Sequence, residues 1–306
     1  MRIIFMGSPA FAVPSLRALA TKFDVVGVVT QPDRHSGRGR ALLPPDIKTV
    51  AVELNIPYIQ PEKIRDEEAM RSISHWQPDM IVVAAYGQIL SQNILDLAPA
   101  GSINVHASLL PRWRGAAPIQ ASILHGDTET GITIMLMDAG MDTGPILSQQ
   151  VVQIGDDETA GELSIRLSHI GADLLMNTLP GFINGTVHPT PQNDEDATYA
   201  PLLRKSDGLI DFTIPAAKLC RQVRAFEPWP SSFFQWQQLR IVVRKAISIE
   251  WKPSVPGSVI EWKGLPGITT SEGLFILEQI QPAGKKSMPA EDFLRGSPSF
   301  IGSHLS

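Results

Sequence analysis

The feature that most narrows the fold is an alternation running through the first two thirds of the chain. Arg2–Met6, Val25–Thr30, Met80–Tyr86, Ser102–His106, Ile132–Asp138 and Ile146–Ile154 are short, largely apolar runs closed by turn residues, most of them rich in β-branched side chains. Helical patterns lie between them at Ala12–Thr21, Asp46–Leu54, Glu67–Trp76, Ala116–His125 and Ala160–Leu179. Nearly continuous apolar strands separated by helices predict an α/β unit with a mostly parallel, Rossmann-like sheet covered by helices on both faces. Shorter connections between the last strands predict an antiparallel edge.

Pro180 and Gly181 are expected to end the long helix, and the stretch 188–196 (HPTPQNDED) reads as a linker. Beyond residue 206 the texture changes. Short runs at Ile241–Val243, Ala246–Ile249, Ser258–Glu261 and Leu274–Leu277 recur among Gly and Pro turns, with one helical segment, Ala216–Ala225. This predicts a small, OB-like β-barrel. The expected organisation is a catalytic domain over 1–188, a linker over 189–206 and a C-terminal barrel over 207–306, its Gly- and Ser-rich tail from Arg295 frayed.

At 306 residues, with 43% hydrophobic and 19% charged side chains, neither disorder nor coiled coil describes the chain. The single cysteine, Cys220, excludes a disulfide framework and a Cys-rich zinc site, and fits a reducing compartment. The opening residues are apolar too briefly for a signal peptide, and Met80–Tyr86 is far shorter than a membrane span. A cytoplasmic protein without membrane association is expected. Charge is unevenly shared. Residues 1–199 carry 13 Lys and Arg against 22 Asp and Glu, whereas residues 200–306 carry 13 against 9. A basic module on an acidic body suits a polyanionic partner.

Gly7-Ser8-Pro9 follows the first strand, where nucleotide-binding α/β folds place a Gly-rich loop. It has one glycine, and Pro9 removes a donor where a pyrophosphate needs one, so a nicotinamide oxidoreductase is disfavoured. The segment Asn104-Val105-His106-Ala107-Ser108-Leu109-Leu110-Pro111 is more informative. Asn104 and His106, two apart at a strand's carboxyl end, share a face and offer two hydrogen-bond donors to one oxygen, the equipment for a developing oxyanion. A second loop, Asp138-Ala139-Gly140-Met141-Asp142-Thr143-Gly144, either sends the Asp142 carboxylate into the same crevice or closes an Asx turn on itself. Spacing leaves both open.

These residues resemble the folate-dependent formyltransferases. The likeness rests on N-x-H-x-S-L-L-P at 104–111, R-G-A-A-P-I at 114–119, D-T-G at 142–144 and F-M-G-S-P-x-F at 5–11. It extends, more loosely, to A-F-E-P-W-P at 225–230 and Gly284-Lys285-Lys286. The resemblance implies 10-formyltetrahydrofolate as donor and the amino group of initiator methionyl-tRNA as acceptor, with no metal and no obligatory protein partner. It implies that Asn104 and His106 stabilise the oxyanion, while Asp142 partners His106 and relays the proton of the attacking amine. Ser108, Leu109, Leu110 and Pro111 are then expected along the folate, with Tyr86, Gly87, Ile89, Asp138 and Gly140 around its pterin.

Residues 31–45 form a longer break than strand–helix connections usually need, and Arg34, Arg38 and Arg40 make it basic. The resemblance implies that this insertion grips tRNA, with Lys205, Arg244, Lys245, Lys285 and Lys286 of the C-terminal region. A formyltransferase or formyl-folate hydrolase acting on a small amine or on water could share the catalytic triplet. The basic annex argues for the larger acceptor.

Overall fold

The structure, a computed structural model, describes residues 1–36, 41–252 and 254–305. The chain forms two compact units. One takes Met1–Pro118, Glu129–Gln153 and Ser164–Ala200, the other Ile119–Thr128, Ile154–Leu163 and Pro201–Ser306. The last crossing, at Ala200, falls inside the stretch expected to link two domains. The two short excursions into the second unit have no signal in the sequence.

Among the described residues, eleven strands belong to the first unit: β1 (Arg2–Gly7), β2 (Asp24–Val29), β3 (Arg34–Ser36), β4 (Ala41–Leu43), β5 (Tyr58–Ile59), β6 (Met80–Ala84), β7 (Ser102–His106), β8 (Arg114–Gly115), β9 (Glu129–Leu136), β10 (Ile146–Gln153) and β11 (Tyr199–Ala200). Seven of them make one sheet in the order β10-β9-β7-β6-β1-β2-β5. From β7 to β5 neighbouring strands run parallel, whereas β9 and β10 close one edge antiparallel, as the sequence predicts. Ile3 to Met6 and Met80 to Val82 are fully buried, as strands covered on both faces must be. Each such side chain contributes about 1.5–3 kcal/mol.

The helices are α1 (Val13–Lys22), α2 (Asp46–Glu53), α3 (Glu67–His75), α4 (Gln92–Leu95), α5 (Pro118–His125) and α6 (Ala160–Ile183). Ile47, Val50 and Ala51 give α2 its buried i, i+3, i+4 stripe. Helix α6 does not stop at Pro180. Ala172, Leu175 and Leu179 are buried on one face, and that packing carries the helix past the missing N–H to Ile183. Gly185, at φ +77°, then turns the chain, and the N–H groups of Thr186 and Val187 cap the Gly181 carbonyl.

The expected irregular insertion over 31–45 contains the antiparallel hairpin β3–β4, with Arg34 opposite Leu43. Arg38 and Arg40 lie outside the described residues.

In the second unit, α7 (Ala216–Ala225) packs on a six-stranded antiparallel sheet built from β12 (Ser232–Trp236), β13 (Leu239–Ile249), β14 (Val259–Trp262), β15 (Leu265–Thr269), β16 (Leu274–Pro282) and β17 (Met288–Pro289). Its order is β12-β13-β16-β15-β14, with β17 on β16. The two strands expected at 241–243 and 246–249 are one, β13. Register shifts between Val243 and Ala246 break the alternation there. A second helix, α8 (Ala290–Gly296), is an addition to the expected elements. Phe234, Trp236, Phe293 and Phe300 interlock in the core, with ring centroids 5.1–6.1 Å apart. The tail is not frayed. Phe300 and Leu305 are buried, and Leu305 donates its N–H to the Gly257 carbonyl at 2.8 Å.

Candidate active site

Strand β7 carries Asn104 and His106 on one face, and the loop after β9 brings Asp142 against both. Asn104 Nδ2 donates to Asp142 Oδ1 at 3.2 Å, and Nδ1 of His106 lies 3.6 Å from Asp142 Oδ2. The main-chain N–H of Gly115 donates to Oδ2 at 2.8 Å. His106, 5% exposed, meets the Trp113 carbonyl at 3.0 Å through Nε2, so Nε2 carries the proton there. Nδ1 is left facing the carboxylate.

The Asx turn that the sequence left open for this loop belongs to the other carboxylate. Asp138 Oδ1 accepts the N–H of Gly140 at 3.0 Å and the hydroxyl of Thr143 at 2.7 Å. Asp142 instead occupies left-handed backbone at φ +54° and points inward. Gly144 is required by close approach, since a Cβ there would lie 1.9 Å from the Leu136 carbonyl oxygen.

The residues expected along the folate fall into two groups. Ser108 to Pro111 form a turn pinned from beneath by β9 and β10. Thr133, fully buried, donates to the Ser108 carbonyl at 2.6 Å and accepts the Leu110 N–H at 3.1 Å. Gln149 donates to the Leu110 carbonyl and to Thr133 Oγ1, both at 2.9 Å. Ser108 donates to the Arg112 carbonyl, and the Leu110–Pro111 peptide is cis.

The second group surrounds the end of β6. The Tyr86 ring is buried among Leu90, Ile94 and Ile64, and burial raises its phenol above the usual range. Tyr86 thus offers its main chain to its neighbours. Its carbonyl accepts the Ser8 hydroxyl at 3.3 Å and the Gln31 amide at 3.2 Å. Ile89 is 89% exposed, and at Gly87, φ +84°, a Cβ would come no nearer than 3.8 Å to its closest neighbour, the Gln31 side-chain amide. An uncovered apolar side chain next to a backbone free of Cβ bulk suits a flat heteroaromatic ring.

Trp113, Gly115, Thr133, Gln149 and Gln192 shape this site, and sequence reasoning alone does not single them out. Only Gly115 carries a signal, inside R-G-A-A-P-I. Gln192 sits in a polar segment without period, where nothing marks it. Among the described residues no group of three or more His, Cys, Asp or Glu side chains could hold a metal ion. Cys220 belongs to the second unit, where burial pushes its thiol up to about 11.

The expected tRNA contacts differ in availability. Lys205, Lys285 and Lys286 are exposed. Arg34 is exposed, 3.9 Å from Glu62, and Lys245 pairs with Glu278 at 3.2 Å. Arg244 is held within its unit by Glu227 at 2.7 Å and Gln281 at 2.6 Å. Two further basic side chains of α7 are likewise engaged. Arg221 donates to the Leu124 carbonyl, and Arg224 to those of Gly155 and Glu158, all at 3.3 Å.

Residues 1–179 match the family model described as formyl transferase, and residues 202–298 match that of the formyl transferase C-terminal domain. The methionyl-tRNA formyltransferase of Roseiflexus sp. (strain RS-1) is 44% identical over 300 residues, covering 97% of this chain and 92% of that protein. The enzyme of the same name from Desulfotalea psychrophila is 46% identical over 302 residues, covering 97% and 93%. The crystal structure of WlaRD, a sugar 3N-formyl transferase in the presence of dTDP and 5-N-formyl-THF, is similar in fold. Its TM-score is 0.68 at 19% identity, covering 94% of this chain and 99% of that one.

Proposed function

Because the chain belongs to the formyl transferase family, and within it to the methionyl-tRNA formyltransferases, we propose that it moves a formyl group from 10-formyltetrahydrofolate to the amino group of methionine on initiator tRNA, with Asn104, His106 and Asp142 as its catalytic set. It is an enzyme acting on methionyl-tRNA. The donor's identity and the residue roles are our reading.

The observation that carries the reading is the convergence of Asn104, His106 and Gly115 on one carboxylate, Asp142. Asn104 uses one amide hydrogen on Asp142 and keeps the other for the formyl oxygen. His106 acts in its protonated form, with a proton on each ring nitrogen. Nε2–H stays on the Trp113 carbonyl, and Nδ1, beyond hydrogen-bond distance of the carboxylate at 3.6 Å, turns its proton toward the formyl oxygen as negative charge gathers there. Asp142 accepts the proton of the attacking amine and returns it to the folate nitrogen as the carbon–nitrogen bond breaks. Ser108–Pro111 and the 86–89 turn would hold the folate, with Asp138 and Gly140 bounding its pterin. The folate supplies an activated one-carbon unit.

Residues 1–188 form the catalytic part in this reading, 189–206 the connection and 207–306 the RNA-binding part. Arg34, Arg38 and Arg40, with Lys205, Lys245, Lys285 and Lys286, meet phosphates. No helix among the described residues is long and apolar enough to cross a membrane, and the substrates assign the protein to the cytoplasm.

The test is incubation of the purified protein with 10-formyltetrahydrofolate and methionyl initiator tRNA, following formyl-methionine. Formylation of that tRNA, with little transfer to glycinamide ribonucleotide or to water, is expected. Efficient transfer to either of the latter, and none to tRNA, would overturn the reading.

A further inference from the structure

The main chain of Asp142 is held by a residue 50 positions away. The amide nitrogen of Gln192 donates to the Asp142 carbonyl at 2.8 Å and to the Gly144 carbonyl at 2.7 Å, bridging Thr143. Its Oε1 accepts from Arg114 Nε at 3.1 Å and Nη2 at 2.9 Å. This arrangement leaves no ambiguity in the amide: a guanidinium only donates, so Oε1 must face Arg114, and carbonyls only accept, so the nitrogen must face the loop. Arg114 is 2% exposed, and Asp194 balances its charge at 2.7 Å.

The same segment returns to β8. The Arg114 N–H donates to the Thr198 carbonyl at 2.9 Å, and β11 pairs with β8 through Tyr199 and Ala200. Gly115, next along β8, holds the Asp142 carboxylate. Both ends of Asp142 are thus referenced to residues 192–200, its carbonyl through Gln192 and its carboxylate through β8. A left-handed aspartate needs such restraint, because a relaxed backbone would swing the side chain away from Asn104 and His106.

We propose that Gln192 is a positioning residue for formyl transfer, fixing the Asp142 backbone so that its carboxylate faces Asn104 and His106. This rests on Asp142 acting in the reaction as proposed above. The polar segment around residue 192 is therefore a working part of the active site.

A double-mutant cycle with Asp142 tests it, using the full-length enzyme with 10-formyltetrahydrofolate and methionyl-tRNA. Gln192→Ala should lower kcat by about 100-fold, the penalty of an ångström-scale misplacement, with both KM values changed less than about threefold. Gln192→Glu keeps the Arg114 pairing and the side-chain volume but loses both donors, and should lower kcat as much. In the Asp142→Asn background, Gln192→Ala should cost less than about threefold, because the group it positions is already disabled. An equal loss in both backgrounds, or a kcat near that of the parent, overturns the proposal. If Asp142→Asn alone keeps the parent rate, the failure lies in the catalytic reading of Asp142 itself.

Discussion

Gly115 and Asp142 meet at 2.8 Å, main-chain N–H to carboxylate oxygen, from a backbone position that favours a residue without a side chain. Gly115 sits at φ +114°, and a Cβ there would lie 2.7 Å from the Ala200 carbonyl oxygen. Gly115→Ala should therefore destabilise the fold by about 1–3 kcal/mol and displace the donor from Asp142. Thermal melting checks the first effect, and kcat, falling more than either KM changes, checks the second. A variant with parent kcat would show that the contact is not needed in the reaction.

Thr133 is the peg beneath the Ser108–Pro111 turn. Thr133→Val keeps the shape but leaves the buried Leu110 N–H without its acceptor, at a cost of about 1–3 kcal/mol. The expected outcome is a lower melting temperature together with a raised KM for the formyl-folate and an unchanged KM for the tRNA. Isothermal titration with a folate analogue separates the two substrates. Parallel losses for both would detach the turn from folate binding.

Much of this is legible in the sequence because its signals are local. Apolar runs predict the strands, and two residues at period two put Asn104 and His106 on one face. The illegible parts come from contacts distant in the chain. Gln192 looks like any linker glutamine until Arg114 is beside it, and Thr133 is one β-branched residue among several in β9. Pro180 misleads because a buried face outweighs one missing hydrogen bond. The tail misleads because Phe300 and Leu305 pack despite their glycine and serine neighbours. Asp138 and Asp142 are equivalent by composition, and only the backbone of the loop decides which makes the turn.

Lys285 and Lys286 are exposed, whereas Arg244 is engaged by Glu227, Gln281 and Ser231. Lys285→Ala with Lys286→Ala should weaken tRNA binding and flatten its salt dependence, by about one unit of log–log slope for each phosphate no longer neutralised, with melting unchanged. Arg244→Ala should instead destabilise the fold, by about 1–3 kcal/mol. Binding titrations across a salt series, paired with melting curves, distinguish them. The reverse pattern would reassign both.

Cys220 should be chemically quiet. Burial pushes its thiol up to about 11, and the Ser248 hydrogen bond opposes this only in part. The unfolded thiol loses its proton near its ordinary value of about 8.5, so the folded state binds the extra proton between there and about 11. Its contribution is complete below that window and is lost as pH rises through it. Cys220→Ala should retain formyl transfer within about twofold and show a shallower fall in stability between pH 8.5 and about 11. Rapid thiol modification of the native protein at pH 7.5 would contradict this.

The most direct test of the catalytic account is the rate of formyl transfer within the preformed complex of enzyme, 10-formyltetrahydrofolate and methionyl-tRNA, measured for His106→Ala by rapid quench. Stabilisation of the formyl oxygen by this imidazole predicts a transfer step slowed by about 100- to 1,000-fold, with both substrates bound within about threefold of the parent affinity. A transfer rate within a few-fold of the parent would contradict it.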